Sequence, residues 1–354
     1  MQKLAKRTVL QSSLNYNVNP CTYLSMKTIL SGIQSSGKLH LGNYFGALRQ
    51  HIQMQEKGDA FYFIANYHSM TSIDDGEEIY QNTIDIALDY LALGLDPDKC
   101  TFFAQSDVPQ VTELAWMLST FCPVSMMEKA VAYKDKVAQG VTPNIGLFTY
   151  PILQAADILI YNSDVVPVGQ DQKQNIEICR DLAGRFNHNY GDEFLKLPEE
   201  YIVKSVAVVP GIDGRKMSKS YGNTIGIFDE GKTLRKKVMS IETDSTPLDE
   251  PKDPERCNVF ALIKLFAGES KQQQIADKYR AGGYGYGHAK NELLDMIEVY
   301  FAEARAKRKE LAQDIDTVRD ILSEGGKKAR ARAESVMEPI REVAGVFKSY
   351  EFNE

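Results

Sequence analysis

The stretch from Thr28 to Gln50 constrains the fold of this chain more than any other. An apolar run ends at Leu30, a loop of small residues with glycines at 32, 37 and 42 follows, and Tyr44-Phe45-Gly46-Ala47-Leu48-Arg49-Gln50 reads as the body of a helix. A strand feeding a glycine-rich loop and then a helix outlines a nucleotide site. N–H groups at a helix start lack intrahelical acceptors, the helix dipole favours anions there, and glycine admits a phosphate or ring close to the backbone. Most glycine-rich loops are plain turns, so this stretch alone leaves the function open. Gly32 to Leu39 reads G-x-x-x-x-G-K-L. A P-loop needs Ser or Thr after its lysine to hold Mg²⁺, and Leu39 has no oxygen, which counts against a P-loop kinase or NTPase.

A second stretch, Lys216-Met217-Ser218-Lys219-Ser220, sets two ammonium groups around small hydroxyls between Gly214 and Gly222. A lysine-rich loop is usually solvated surface. Paired with His40-Leu41-Gly42-Asn43 after the first strand, it is far more specific. The chain resembles the class I aminoacyl-tRNA synthetases. Residues 40–43 stand at that family's HIGH motif, with Leu for Ile and Asn for His, and residues 216–220 match its KMSKS motif letter for letter. The Asn form, preceded by Ser31-Gly32-Ile33-Gln34 and then Ser36-Gly37, is similar to the tryptophanyl-tRNA synthetases. The resemblance runs from about Met26 to near the C-terminus.

With 354 residues, the chain has room for two domains, or one large domain and an appendage. Its net charge of −7 is no mark of a nucleic-acid binder. If RNA is a partner, basic residues must be grouped locally, because phosphate contacts dominate such affinity. No apolar run reaches the roughly 18 to 20 residues that span a bilayer. Cysteines at 21, 100, 122, 179 and 257 are scattered, with no C-x-x-C pair, so a zinc or iron–sulfur site is not expected and reduced thiols in the cytoplasm are. Residues 1–25 hold Lys3, Lys6, Arg7 and no acidic residue. They read as a disordered extension, a transit peptide, or a stretch upstream of a start at Met26.

From residue 26 short apolar runs alternate with amphipathic stretches. Strands are expected at 27–31, 60–65, 101–104, 165–168 and 206–209, and helices at 43–56, 77–93, 109–120, 151–162 and 171–187. This alternation predicts an α/β fold, a Rossmann-type doubly wound parallel sheet with ligands beyond the carboxyl ends of its strands. The catalytic domain is expected over 26–230, and a C-terminal α-helical domain over 231–354. There strand signals vanish and 289–323 and 325–346 read as helices, the latter with Pro339 as a kink. Gly282 to Gly287 reads as a flexible link. Arg305, Lys307, Arg308, Lys309, Lys327, Lys328, Arg330 and Arg332 are grouped cations. They are either a solvated helix face or contacts to an RNA backbone.

The resemblance implies a two-step ligation with ATP, Mg²⁺, L-tryptophan and tRNA(Trp), carried out by a homodimer. Lys216 and Lys219 would offset charge on the phosphates. Gln34, Ser35, Ser36, His40, Gly42 and Asn43 match the family's ATP-contacting element. Gly169, Gln170 and Asp171, with Val209, Met217, Ser218 and Ser220, match further ATP contacts, and Lys136 stands where the family has another phosphate-binding lysine. Tyr150, Gln154 and Asp157 fall at i, i+4 and i+7, so a helix puts them on one face. The matching Asp reads the tryptophan ring in the family, while Tyr150 and Gln172 would hold the polar end of the amino acid and His68 lines its pocket. Alone, such an Asp is as readily a cap or a structural ion pair. Gln154 departs from the pattern: many bacterial tryptophan enzymes have Met there, and the tyrosyl-tRNA synthetases have Gln. Against tyrosine, the first strand ends in Leu30 where the tyrosine enzymes place a Tyr.

Overall fold

Four apolar runs and one polar run form the sheet of the computed structural model, which describes residues 27–33, 37–130, 133–134, 138, 140, 142–169, 172–202 and 208–346. The expectations for residues 1–25 and for Gln34, Ser35, Ser36, Lys136, Gln170 and Asp171 lie outside the described residues. The strands are β1 (Thr28–Ile33), β2 (Asp59–Ile64), β3 (Thr101–Ala104), β4 (Val165–Val168) and β5 (Glu199–Ile202). They lie in the order β3-β2-β1-β4-β5, all parallel. This is the doubly wound arrangement, with its topological switch between β1 and β4. Those two strands pair only at Ile29↔Val165, while β1 and β2 stay in register from Thr28↔Asp59 to Ile33↔Ile64. The sheet is therefore unzipped above the switch point, where α/β folds take their ligands.

The strand expected at 206–209 is not part of this sheet: its described residues, Val208 and Val209, belong to no strand, and Glu199–Ile202 forms the edge instead. The β-branched residues drew the expectation to the wrong segment. The true edge strand is polar because it faces solvent. It is pinned by a bond from Glu199 N–H to the Asp164 carbonyl (2.8 Å) and by a Lys27–Glu199 ion pair.

Alternate residues of the inner strands feed two cores, Ile29, Tyr62 and Phe102 on one face and Leu30, Phe61, Phe63 and Phe103 on the other. Helices cover both faces. On the first face α1 runs through Leu41–Asn43, a π-helical Tyr44–Leu48 and Arg49–Met54, and after the short α2 (Asn66–Ser69) comes α3 (Gly76–Ala92). On the second lie α4 (Gln110–Ser119), α5 (Ile145–Leu159) and α6 (Lys173–Tyr190). The sequence predicts α5 from 151, yet it starts six residues earlier because Asn144 Oδ1 caps it by accepting from Leu147 N–H at 2.7 Å. Pro151 is thus an interior residue.

The C-terminal part is helical: α7 (Gly231–Met239), α8 (Asn258–Phe266), α9 (Glu269–Ala281), α10 (Tyr286–Tyr300), α11 (Ala302–Leu311) and α12 (Ile315–Val343). The helix expected over 289–323 is broken twice, at Phe301 and before Asp314, which caps α12 through Thr317 N–H. Last in the chain, α12 returns to the sheet and lies on β3. A Cβ on Gly325 would collide with the Phe102 carbonyl, and Ala329 and Ala333 are buried in the same contact. Nor is the glycine link between α9 and α10 loose, for Gly283 N–H donates to the Leu248 carbonyl at 3.0 Å. An aromatic cluster of Tyr44, Phe45, Phe266, Tyr300 and Phe301 joins the π-helical turn of α1 to α8 and α10.

Candidate active site

The glycine turn and the lysine loop meet. Gly42 N–H donates to the Met217 sulfur at 3.3 Å, and a Cβ on Gly42 would stand 3.2 Å from Met217 Cβ. Backbone bonds from Leu41 N–H to the Ile225 carbonyl (3.0 Å) and from Ile227 N–H to the Leu39 carbonyl (3.2 Å) hold the segment after the loop against the turn. Lys219 Nζ comes within 3.8 Å of where a side chain on Gly37 would start. His40 caps α1: its Nδ1 accepts from Asn43 N–H at 3.3 Å, and Asn43 Oδ1 accepts from His40 N–H at 3.1 Å. Burial, with the nearby Lys219 and Lys237 charges, pulls His40 down to about 4, so it is neutral at pH 7.

The expectation of open N–H groups at this helix start is corrected by these bonds. The amides of residues 41, 42 and 43 all have partners. Only the bond to sulfur is weak enough to exchange readily. Positive charge comes instead from the lysines. Lys216 is exposed and has no acidic partner among the described residues, and burial lowers the Lys219 ammonium from the ordinary lysine value. The loop itself is held in shape by buried Asn223. Its Oδ1 accepts from Ser218 N–H (2.8 Å), and its Nδ2 donates to Asp213 Oδ1 (2.7 Å) and to the Lys216 carbonyl (3.1 Å). Val209 is buried beneath, its carbonyl accepting from Met217 N–H. Helix α1 begins three residues after Lys38, behind a histidine cap. In a P-loop the lysine and the hydroxyl after it open the helix themselves, and this chain does otherwise.

Next to the turn, a cavity of about 400 Å³ opens at the unzipped end of β1 and β4, lined by Leu30 and Gly32 on one side and Val166 to Gly169 on the other. Tyr150, Gln154 and Asp157, expected to share a helix face, all line it from α5, and His68 and Gln172 line it too. At its polar end Asp157 is buried. Gln105 Nε2 donates to both Asp157 oxygens (2.8 and 2.9 Å), and His68 Nε2 lies 3.0 Å from Asp157 Oδ2. Gln105 is itself fixed, its Oε1 accepting from Tyr67 N–H at 3.0 Å. Burial raises the Asp157 carboxyl from its ordinary value, and the bonds from His68 and Gln105 pull against that. Gln154 makes no hydrogen bond among the described residues, so its amide is open to a ligand. Gln172 does not turn to Gln154. Its Oε1 accepts from Asn175.

These features stand beside clear relatives. A profile of the class I tRNA synthetases (W and Y) matches residues 25–302. The chain belongs to that family. The tryptophan–tRNA ligase of Fusobacterium nucleatum is 55% identical over 91% of this chain and 98% of its own length, and that of Rhodopirellula baltica is 53% identical over 90% and 99%. The crystal structure of Campylobacter jejuni tryptophanyl-tRNA synthetase with ADP and tryptophan superposes with a TM-score of 0.87 at 50% identity, covering 90% of this chain and all of that one.

Two features of this site escaped the sequence. Gln105 follows β3 and meets Asp157 only in space, and His51 lines the cavity from α1, its Nδ1 3.0 Å from Ser31 Oγ. Burial holds His51 near 4. Neither belongs to a spacing pattern that could have marked it. Most of the grouped cations of α11 and α12 have a partner within the protein. Arg305 is buried and donates to the Ile227 carbonyl, and Arg308 pairs with Asp85 and Asp89. Lys309 pairs with Glu230, Lys327 with Glu324 and Arg332 with Asp59, while Arg330 donates to the Asp107 carbonyl. Arg308 and Arg332 tie the helical part to α3 and β2, and only Lys307 and Lys328 of the eight have no such partner among the described residues.

Proposed function

We propose that the chain is a tryptophan–tRNA ligase: it activates L-tryptophan with ATP to tryptophanyl-adenylate and pyrophosphate, then passes the tryptophanyl group to tRNA(Trp). One observation carries this reading, the docking of the lysine loop on the glycine turn beside a cavity that ends in a buried carboxylate. In the first step an oxygen of the tryptophan carboxylate bonds to the α-phosphorus as the bond to the bridging oxygen breaks, and pyrophosphate leaves with the electron pair. Little covalent help is needed, only alignment and offset charge. Lys216 and Lys219 sit on a loop that can follow the leaving phosphates, and they raise the rate to the extent that they bind them more tightly in the transition state than in ATP. Gln34, Ser35, Ser36, Gly169, Gln170, Asp171 and Lys136 complete the proposed ATP contacts. The charged donors proposed for the phosphates are the Lys216 and Lys219 ammonium groups, which suits a polyphosphate that brings its own Mg²⁺, an ion that binds largely through phosphate and water oxygens.

Asp157 accepts the indole N–H in this reading. Its oxygens already receive bonds from two donors, so it is held as an acceptor facing a group that can only donate. Tyr150, Gln154 and Gln172 face the amino acid's polar end. Tryptophan rather than tyrosine is supported by Leu30, which offers a phenol no partner, and by two curated relatives above 50% identity that are tryptophan–tRNA ligases. Exposed Trp116, Val124 and Ile145 on neighbouring helical segments suit a two-fold dimer. Four unpaired cysteines and no helix apolar and long enough to cross a membrane, among the described residues, suit the cytoplasm. Pyrophosphate exchange into ATP, run with each of the twenty amino acids, tests the reading. Tryptophan alone should stimulate exchange, whereas stimulation by tyrosine alone, or by none, overturns it.

A further inference from the structure

Six of the eight grouped cations of α11 and α12 already have partners within the protein, whereas the outer face of α7 carries three that have none among the described residues, and the geometry points to that face as a surface that meets RNA. We propose that Lys232, Arg235 and Lys236 grip the phosphate backbone of the acceptor arm of the tRNA, an inference that rests on the ligase reading above. The three fall at i, i+3 and i+4, so they share one helix face. All three are exposed, while Leu234 and Val238 bury the opposite face. None has an acidic partner among the described residues. Lys237, the fourth cation of the helix, is turned away to Asp229 at 2.8 Å.

Two ordinary explanations fail. Like charges at these spacings weaken a helix, so the set does not serve the stability of α7. A helix dipole welcomes cations at the C-terminal end and disfavours them at the start. Lys236 fits that rule, but Lys232 stands in the first turn. What the set does offer is unneutralised positive charge on a chain of net charge −7, and a polyanion binds such a chain only where cations are grouped.

The place is also right. Asp229, which holds Lys237, accepts from Gly226 N–H at 2.6 Å, and Gly226 bridges to His40 at the glycine turn. Helix α7 therefore starts beside the cleft in which the adenylate forms. An RNA whose 3′ end enters that cleft brings its last phosphates past this helix.

The test is the full chain with Lys232→Gln, Arg235→Gln and Lys236→Gln together, glutamine being a good helix former. Tryptophan-dependent pyrophosphate exchange, which needs no tRNA, should stay within about twofold of wild type and certifies the fold. In aminoacylation the KM for tRNA(Trp) should rise about tenfold or more. The slope of log affinity against log salt should flatten by nearly three, about 0.9 for each of the three phosphates that are no longer neutralised. A minihelix of the acceptor arm alone should lose as much as the whole tRNA. A Lys307→Gln, Lys328→Gln protein should behave as wild type. Should the triple variant lower exchange, Lys232→Gln and Lys236→Gln are measured singly, each expected to raise the tRNA KM by about twofold with exchange intact. An unchanged tRNA KM and salt slope overturns the proposal, as does a loss seen with whole tRNA but absent with the minihelix. A wild-type protein without tryptophan-dependent exchange would refute the ligase reading instead, which keeps the two failures apart.

Discussion

On the proposed nucleotide side of the cleft Lys216 rides on a loop and is exposed; on the proposed amino-acid side Asp157 is buried and already bonded. Lys216 is exposed, and its ammonium has no acidic partner among the described residues. Asp157 is enclosed and held by Gln105 and His68 before any ligand arrives. The contrast follows from what each side must do. Charge that develops only as pyrophosphate leaves is best met by groups that move with it. A neutral donor such as an indole N–H is best told from its competitors by a fixed acceptor whose loss would leave a buried group unpaired. The two halves should therefore fail in different ways.

The largest effect should come from the lysine-loop half. Lys216→Ala with Lys219→Ala should cut the exchange rate about a thousandfold or more, each group acting like a transition-state donor, while calorimetry without ATP finds tryptophan Kd within about twofold of wild type. Equal damage to tryptophan binding would break the comparison. On the fixed half, Asp157→Asn should raise the tryptophan KM about a hundredfold, since charge-assisted bonds disappear and an amide N–H is set against other donors, and leave the ATP KM alone. Gln105→Leu should cost about tenfold in tryptophan KM by releasing the carboxylate. The penalty should be absent for 3-benzothienylalanine, which lacks the indole N–H, and an equal penalty for both amino acids would make Gln105 merely structural.

The smallest effect concerns pH. His40, at about 4 in the fold against an ordinary 6.5, is a base whose folded value is lowered. Below 6.5 the unfolded chain takes up a proton that the folded chain refuses, so stability falls as pH drops from 6.5 toward 4, by about 2 kcal/mol at pH 4.5. Asp89, raised to about 6 by burial, acts in the opposite sense over that range. The difference in Tm between wild type and His40→Gln isolates the histidine. The Tm of the variant should fall less steeply between pH 6.5 and 4.5, and parallel curves would contradict the assignment.

The nucleotide half was legible because its residues are consecutive: 37–43 and 216–220 carry their chemistry in order along the chain. The face shared by Tyr150, Gln154 and Asp157 was legible from helical spacing. Gln105 and His51 were not, because Gln105 reaches Asp157 and His51 reaches the cavity, each from a separate element, and neither residue type is rare. Charge was the most misleading signal. A sequence counts cations but not their partners, and Arg308 finds Asp85 and Asp89 across the fold from it. The edge strand went astray for a related reason, since a polar strand exposed on one side lacks the β-branched signature that drew attention to 206–209.

The separation of the two halves is tested most directly by a double-mutant cycle on kcat/KM for tryptophan-dependent pyrophosphate exchange, with Asp157→Asn and Lys219→Ala alone and together. Distant, independent sites give additive free energies, so the combined loss should equal the product of the single losses within about threefold. A combined loss no larger than that of the more damaging single variant would show that carboxylate and ammonium act as one unit, and would contradict the account.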